Sequence, residues 1–190
     1  ADLRVSRFGE KTTAELQEAS KKILSEYNAK KIDGIVLDLR GNPGGYFQKA
    51  IEMVSMFVKS GVVVQQEDAT GQKQQFKALG NAIFENVPMV VLIDKGSASS
   101  SEITAGALRE LRNAKLIGET SFGKGTVQAA DDLPGGAGLH ITIQRWLLPS
   151  GTSIHKVGVK PDVEVQFKAP EKEGDLDPQE IKALEELGNL

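Results

Sequence analysis

The chain has 190 residues, 39% of them hydrophobic, and its 23 basic and 26 acidic side chains leave a net charge of −3. That is one domain's length with enough apolar material for a core, which excludes general disorder. No apolar run approaches the ~20 residues of a membrane helix, and the mild acidity argues against a nucleic-acid surface.

Leu3–Phe8 alternates apolar and polar residues and reads as a strand. Thr12-Thr13-Ala14-Glu15 has the form of a capping box and opens a helix to about Tyr27. Gly34–Leu39 is nearly continuous apolar, the pattern of a strand buried on both faces and parallel to its neighbours. Arg40-Gly41-Asn42-Pro43-Gly44-Gly45 is a tight loop, and a helix follows over 48–58. Val62–Val64 and Gln75–Lys77 flank the turn residues Thr70-Gly71 as a hairpin. Pro88–Ile93 is a second buried strand, and Gly96–Ser101 feeds a helix to about Leu111. Lys115–Gly118 is a short strand. Thr126–Leu148 reads as two strands joined by Pro134-Gly135-Gly136-Ala137-Gly138, and Pro149-Ser150-Gly151 is a turn. Beyond Val165 the composition turns charged, and Asp177-Pro178 starts a short helix carrying Ile181, Leu184 and Leu187. The alternation predicts an α/β core with added antiparallel hairpins. The expected division is a core over 1–167 and a charged tail over 168–190, packed on the core or on a partner, or else solvated.

Cysteine is absent, which removes disulfides, thiolate metal sites and cysteine nucleophiles together and suits an oxidising compartment. Only His140 and His155 are available to a histidine-based triad, and neither metal nor cofactor is expected. The chain begins at Ala1 without a Met or leader, as a processed protein or excised fragment does.

Three segments hold groups suited to chemistry. Ser97-Ala98-Ser99-Ser100-Ser101-Glu102-Ile103 follows a buried strand and opens a helix. A serine there has free backbone N–H groups beside it, and the positive helix end favours a developing oxyanion. Ser99-x-x-Glu102 is equally a capping box. Gly118-Glu119-Thr120-Ser121-Phe122-Gly123-Lys124-Gly125-Thr126 nearly spells a phosphate loop, but Gly125 replaces the required hydroxyl and a strand follows instead of a helix. Lys124 can instead act as a base for a serine if its pKa falls by about 3 units through desolvation, and the Gln128 amide oxygen can hold its amine. In Asp38-Leu39-Arg40-Gly41-Asn42-Pro43-Gly44-Gly45 the glycines can turn N–H groups into an anion site, and Asp38 and Arg40 can pair structurally.

In these segments the chain resembles the carboxy-terminal processing peptidases, or tail-specific proteases. Pro149-Ser150-Gly151 and Gly158-Val159-Lys160-Pro161-Asp162 extend the likeness in order, and it runs from about Leu3 to Val165. The resemblance implies a crotonase-like α/β core and a serine–lysine endopeptidase. It puts Ser99 at the nucleophile position, Lys124 at the general base and Gln128 at the residue that orients the lysine. It puts the backbone N–H groups of Gly45 and Ser100 at the oxyanion hole; the family usually has alanine where Ser100 stands. It implies protein or peptide substrates taken through their C-terminal regions. A PDZ domain is expected in the parent protein, although no such stretch precedes the core here. The expected location is exported: periplasmic, extracytoplasmic or thylakoid-lumenal. A homo-oligomer stays open. The alternatives are a hydrophobic-ligand or protein-binding module on the same fold, and a crotonase-type acyl-transfer enzyme that uses the oxyanion hole without the dyad.

Overall fold

Every residue of Ile35–Asp38 is buried, as its nearly unbroken apolar run requires, because the strand has neighbours and covers on all sides. The computed structural model describes residues 1–133, 137–170, 172 and 174–190, excluding the side chains of 129–133, 137 and 140. In chain order the elements are β1 (Asp2–Arg4), α1 (Thr12–Asn28), β2 (Ile35–Asp38), α2 (Phe47–Ser55), β3 (Val62–Asp68), β4 (Lys73–Lys77), β5 (Met89–Ile93), α3 (Ser100–Arg112), β6 (Lys115–Gly118), β7 (Thr126–Leu133), β8 (Ala137–Leu147), β9 (Val163–Glu164) and α4 (Pro178–Gly188). The predicted turn at 134–138 lies largely outside the described residues.

Five strands form a parallel sheet in the order β1-β2-β5-β6-β9. A second, antiparallel sheet has the order β4-β3-β8-β7. This is the expected α/β core with added antiparallel hairpins. Side chains alternate across the parallel sheet. Ile35, Leu37, Met89, Val91, Ile93 and Leu116 join the large core with residues of α1, α2 and α3. Val36, Val90, Leu92 and Ile117 point the other way and meet Ala183 of α4, with Leu187 partly buried beside them.

The tail helix therefore covers the second face of the sheet. Its Asp177 caps it, accepting from the N–H groups of Gln179 and Glu180, and Pro178 starts it. Arg40 ties this cap to the loop after β2. It donates to Asp38 through Nε and Nη2 at 2.9 and 2.8 Å, to Asp177 at 2.6 Å and to Glu180 at 3.0 Å. Burial disfavours the Arg40 charge, but the hydrogen bonds and charges of Asp38 and Asp177 outweigh it and raise the guanidinium pKa above its ordinary value.

Two local expectations differ. Ile181 and Leu184 face solvent, at 48% and 50% exposed, while Gln179, Ala183 and Glu186 are buried. The Asp177–Arg40 anchor sets the rotation of the helix, and Ala183 allows its close approach to the sheet. Lys11, not Thr12, is the N-cap of α1, with helical φ and ψ and no side-chain cap. The Thr12 hydroxyl accepts from Gly9 N–H instead, at 2.8 Å.

Candidate active site

The connection from β5 to α3 and the first turn of α3 together carry four serines, and three have structural uses for their hydroxyls. Ser97 Oγ bonds the Leu39 carbonyl at 2.8 Å and accepts from Asp94 N–H at 3.0 Å. Ser101 Oγ donates to the Asn42 carbonyl at 2.9 Å, and Ser100 Oγ to the Gly45 carbonyl at 3.1 Å. All three residues are buried, whereas Ser99 is half-buried. Ser99 has φ 55° and ψ −116°, a conformation that an L-residue adopts only under constraint. The Ser99-x-x-Glu102 capping box is present, and Glu102 Oε2 accepts from Ser99 N–H at 2.9 Å. Its other half is loose: no cap hydrogen bond of ordinary geometry reaches the Ser99 hydroxyl.

The loop after β2 lies against this turn. Asn42 holds it, donating through Nδ2 to the Val5 carbonyl at 2.6 Å and accepting from Gly44 N–H at 2.8 Å. The approach is too close for side chains. A Cβ on Gly44 would lie 2.8 Å from Ser99 Cβ, and one on Gly45, at φ 143°, would lie 2.0 Å from the Phe8 carbonyl oxygen. Among the described residues, no acceptor takes the N–H of Gly45 or of Ser100. Ser100 is the first residue of α3, where such N–H groups lack helical partners.

Lys124 comes from the loop between β6 and β7, and Gln128 from β7; both are exposed. Lys124 is exposed, so the desolvation expected of it is not supplied by burial in the structure. The carboxylates of Glu119 and Asp38 are engaged with other cations: Glu119 pairs with Lys95 at 2.8 Å and Asp38 with Arg40 at 2.8 Å. Gly45, Ser99, Ser100, Lys124 and Gln128 line one cleft of about 340 Å³. Phe47, Ile103, Val127 and Trp146 add apolar walls to it. Phe47 and Trp146 stack there, ring centroids 4.3 Å apart.

The near-match to a phosphate loop has a physical cause. The N–H groups of Gly123 and Lys124 do cradle an anion, but it is the protein's own Glu102 carboxylate, at 2.7 and 2.9 Å. Sequence reasoning saw Glu102 only as a cap. His155 is exposed and lines a different groove; the His140 side chain lies outside the described residues.

A parallel sheet with a serine turn, a glycine loop and a lysine converging on one cleft is the frame of a known class. Residues 1–165 match the model of peptidase family S41, and the chain belongs to that family. It is 43% identical over 174 residues to a carboxy-terminal-processing protease of Bartonella bacilliformis, covering 90% of this chain and 39% of that protein. It is 38% identical over 163 residues to a chloroplastic C-terminal processing peptidase of Tetradesmus obliquus, covering 86% and 34%. The photosystem II D1 C-terminal processing protease superposes with a TM-score of 0.76 at 38% identity, over 86% of this chain and 41% of that one. The chain thus spans about two-fifths or less of the length of these relatives.

Proposed function

We propose that this chain is the peptidase core of a serine–lysine endopeptidase of the C-terminal processing type. The observation that carries the reading is the single cleft lined jointly by Ser99, Lys124, Gln128, Gly45 and Ser100. In this mechanism the neutral Lys124 amine takes the proton from Ser99 Oγ as the oxygen attacks the scissile carbonyl. The N–H groups of Gly45 and Ser100 receive the oxyanion. The Lys124 ammonium then returns its proton to the departing amine as the C–N bond breaks, leaving an acyl-serine. Water, activated by the same amine, attacks this ester and releases the acid and Ser99. Gln128 accepts a hydrogen bond from the lysine and holds it toward Ser99. The neutral amine is required because an ammonium has no acceptor site. A peptide laid along Phe47 and Trp146 would cover Lys124 and exclude water from it.

The names of the relatives support protein substrates cut near their C-termini, and the chloroplastic relative supports an exported location. A PDZ domain elsewhere in the parent protein would supply substrate selection. The test is a serine-directed fluorophosphonate probe with mapping of the labelled residue. Adduct at Ser99 in the wild type, and none in Ser99→Ala, is the expected result. Labelling at another serine would overturn the assignment.

A further inference from the structure

Glu102 is fully buried, and all four of its neighbours within hydrogen-bond distance are donors. Oε1 accepts from Ser121 Oγ at 2.5 Å and from Gly123 N–H at 2.7 Å. Oε2 accepts from Ser99 N–H and from Lys124 N–H, each at 2.9 Å. One oxygen atom thus joins the backbones of two residues 25 positions apart, on different loops. Among the described residues Glu102 has no cationic partner. Its charge is balanced by these donors and by the first turn of α3, where it sits. Only an acceptor on both oxygens satisfies this set, and a carboxylate is the side chain that offers one.

We infer that Glu102 is a positioning residue that sets Ser99 and Lys124 in register with each other. Its grip on Ser99 N–H holds the constrained turn at φ 55°, and its grip on Gly123 and Lys124 fixes where the lysine side chain starts. The inference rests on the serine–lysine reading for its catalytic consequence. Its geometric half stands apart from that reading. Nothing here makes Glu102 a proton carrier, because its contacts to both residues are through the backbone.

Glu102→Gln tests this. The amide offers one oxygen and an NH2 group, so in either orientation at least one backbone N–H, that of Gly123 or those of Ser99 and Lys124, faces another donor. Misplacement on the order of 1 Å at a reacting centre costs about 10²-fold in rate. Glu102→Gln should therefore lose about 100-fold in kcat and in the rate of probe labelling at Ser99, with KM within about twofold. Leu108→Ala, a buried core truncation on the same helix, serves as the control: it should lower the melting temperature while keeping kcat per folded molecule. A Glu102→Gln loss no greater than its unfolded fraction would overturn the inference. If Glu102→Gln does not fold, Glu102→Asp keeps the charge but shortens the reach; wild-type kcat in that variant would also overturn it. Amide hydrogen exchange separates this inference from the proposed function. Should the wild type neither cleave nor label, the peptidase reading fails. The positioning claim then stands if protection at Ser99 and Lys124 is lost together in the variant, and falls if protection at either is unchanged.

Discussion

Replacing Ser99 by glycine should stabilise the protein while abolishing turnover. The Ser99 backbone, at φ 55° and ψ −116°, lies where a Cβ is unfavourable, a strain of about 1–3 kcal/mol. Glycine removes that strain but adds about 0.5–1 kcal/mol of freedom to the unfolded chain. The net expectation is a gain of up to about 2.5 kcal/mol. Ser99→Ala is the right reference, since it also lacks the hydroxyl but keeps the Cβ. The loose cap at the Ser99 hydroxyl keeps the loss of that group small in both variants. For a chain of 190 residues, 1 kcal/mol moves the melting temperature by about 2–4 °C, so glycine should melt above alanine, by up to about 10 °C. Calorimetry or urea titration reads the difference, with neither variant cleaving peptide. A glycine variant no more stable than the alanine variant would refute the claim that the turn stores strain for the nucleophile.

Other perturbations give different readouts. Arg40→Met strands Asp38 and Asp177 without their cation and should cost about 3–5 kcal/mol by chemical denaturation. Gly45→Ala places a Cβ 2.0 Å from the Phe8 carbonyl and must shift the loop, so kcat should fall by about 10²-fold, more than KM changes. For Glu52, burial raises the carboxyl pKa, but hydrogen bonds from Thr13 and Lys49 and the Lys49 charge outweigh it and hold the value below 4.5. A depressed carboxyl pKa means the unfolded chain binds more protons, so this stability is present above about 4.5 and lost as pH falls through the folded value. Glu52→Gln should flatten the acid limb of stability against pH; an unchanged limb contradicts the assignment.

The parallel sheet was readable because β2 and β5 are apolar on both faces, a pattern that a strand with one face in water does not carry. That same pattern demanded a cover for Val36, Val90 and Leu92, and α4 supplies it. The rotation of α4 was not readable. Ile181, Leu184 and Leu187 have helical spacing, yet the Asp177–Arg40 anchor and small Ala183 turn Gln179 and Glu186 inward, their polar ends satisfied. At the candidate site, residue types and order were visible along the chain, and one cleft holds all five residues. The exposure of Lys124 and the wider role of Glu102 were not visible. Both depend on where two loops lie in space, and the Glu102 bonds reach residues 19 to 22 positions away.

The central claim is that Ser99 is the nucleophile and Lys124 its base. Timed labelling by a serine-directed probe, with mass-spectrometric mapping, tests it in wild type, Lys124→Met and Gln128→Ala. Adduct at Ser99 is expected in the wild type. Near-complete loss is expected in Lys124→Met and partial loss in Gln128→Ala, all three remaining folded. Equal labelling of Ser99 in wild type and Lys124→Met would contradict it.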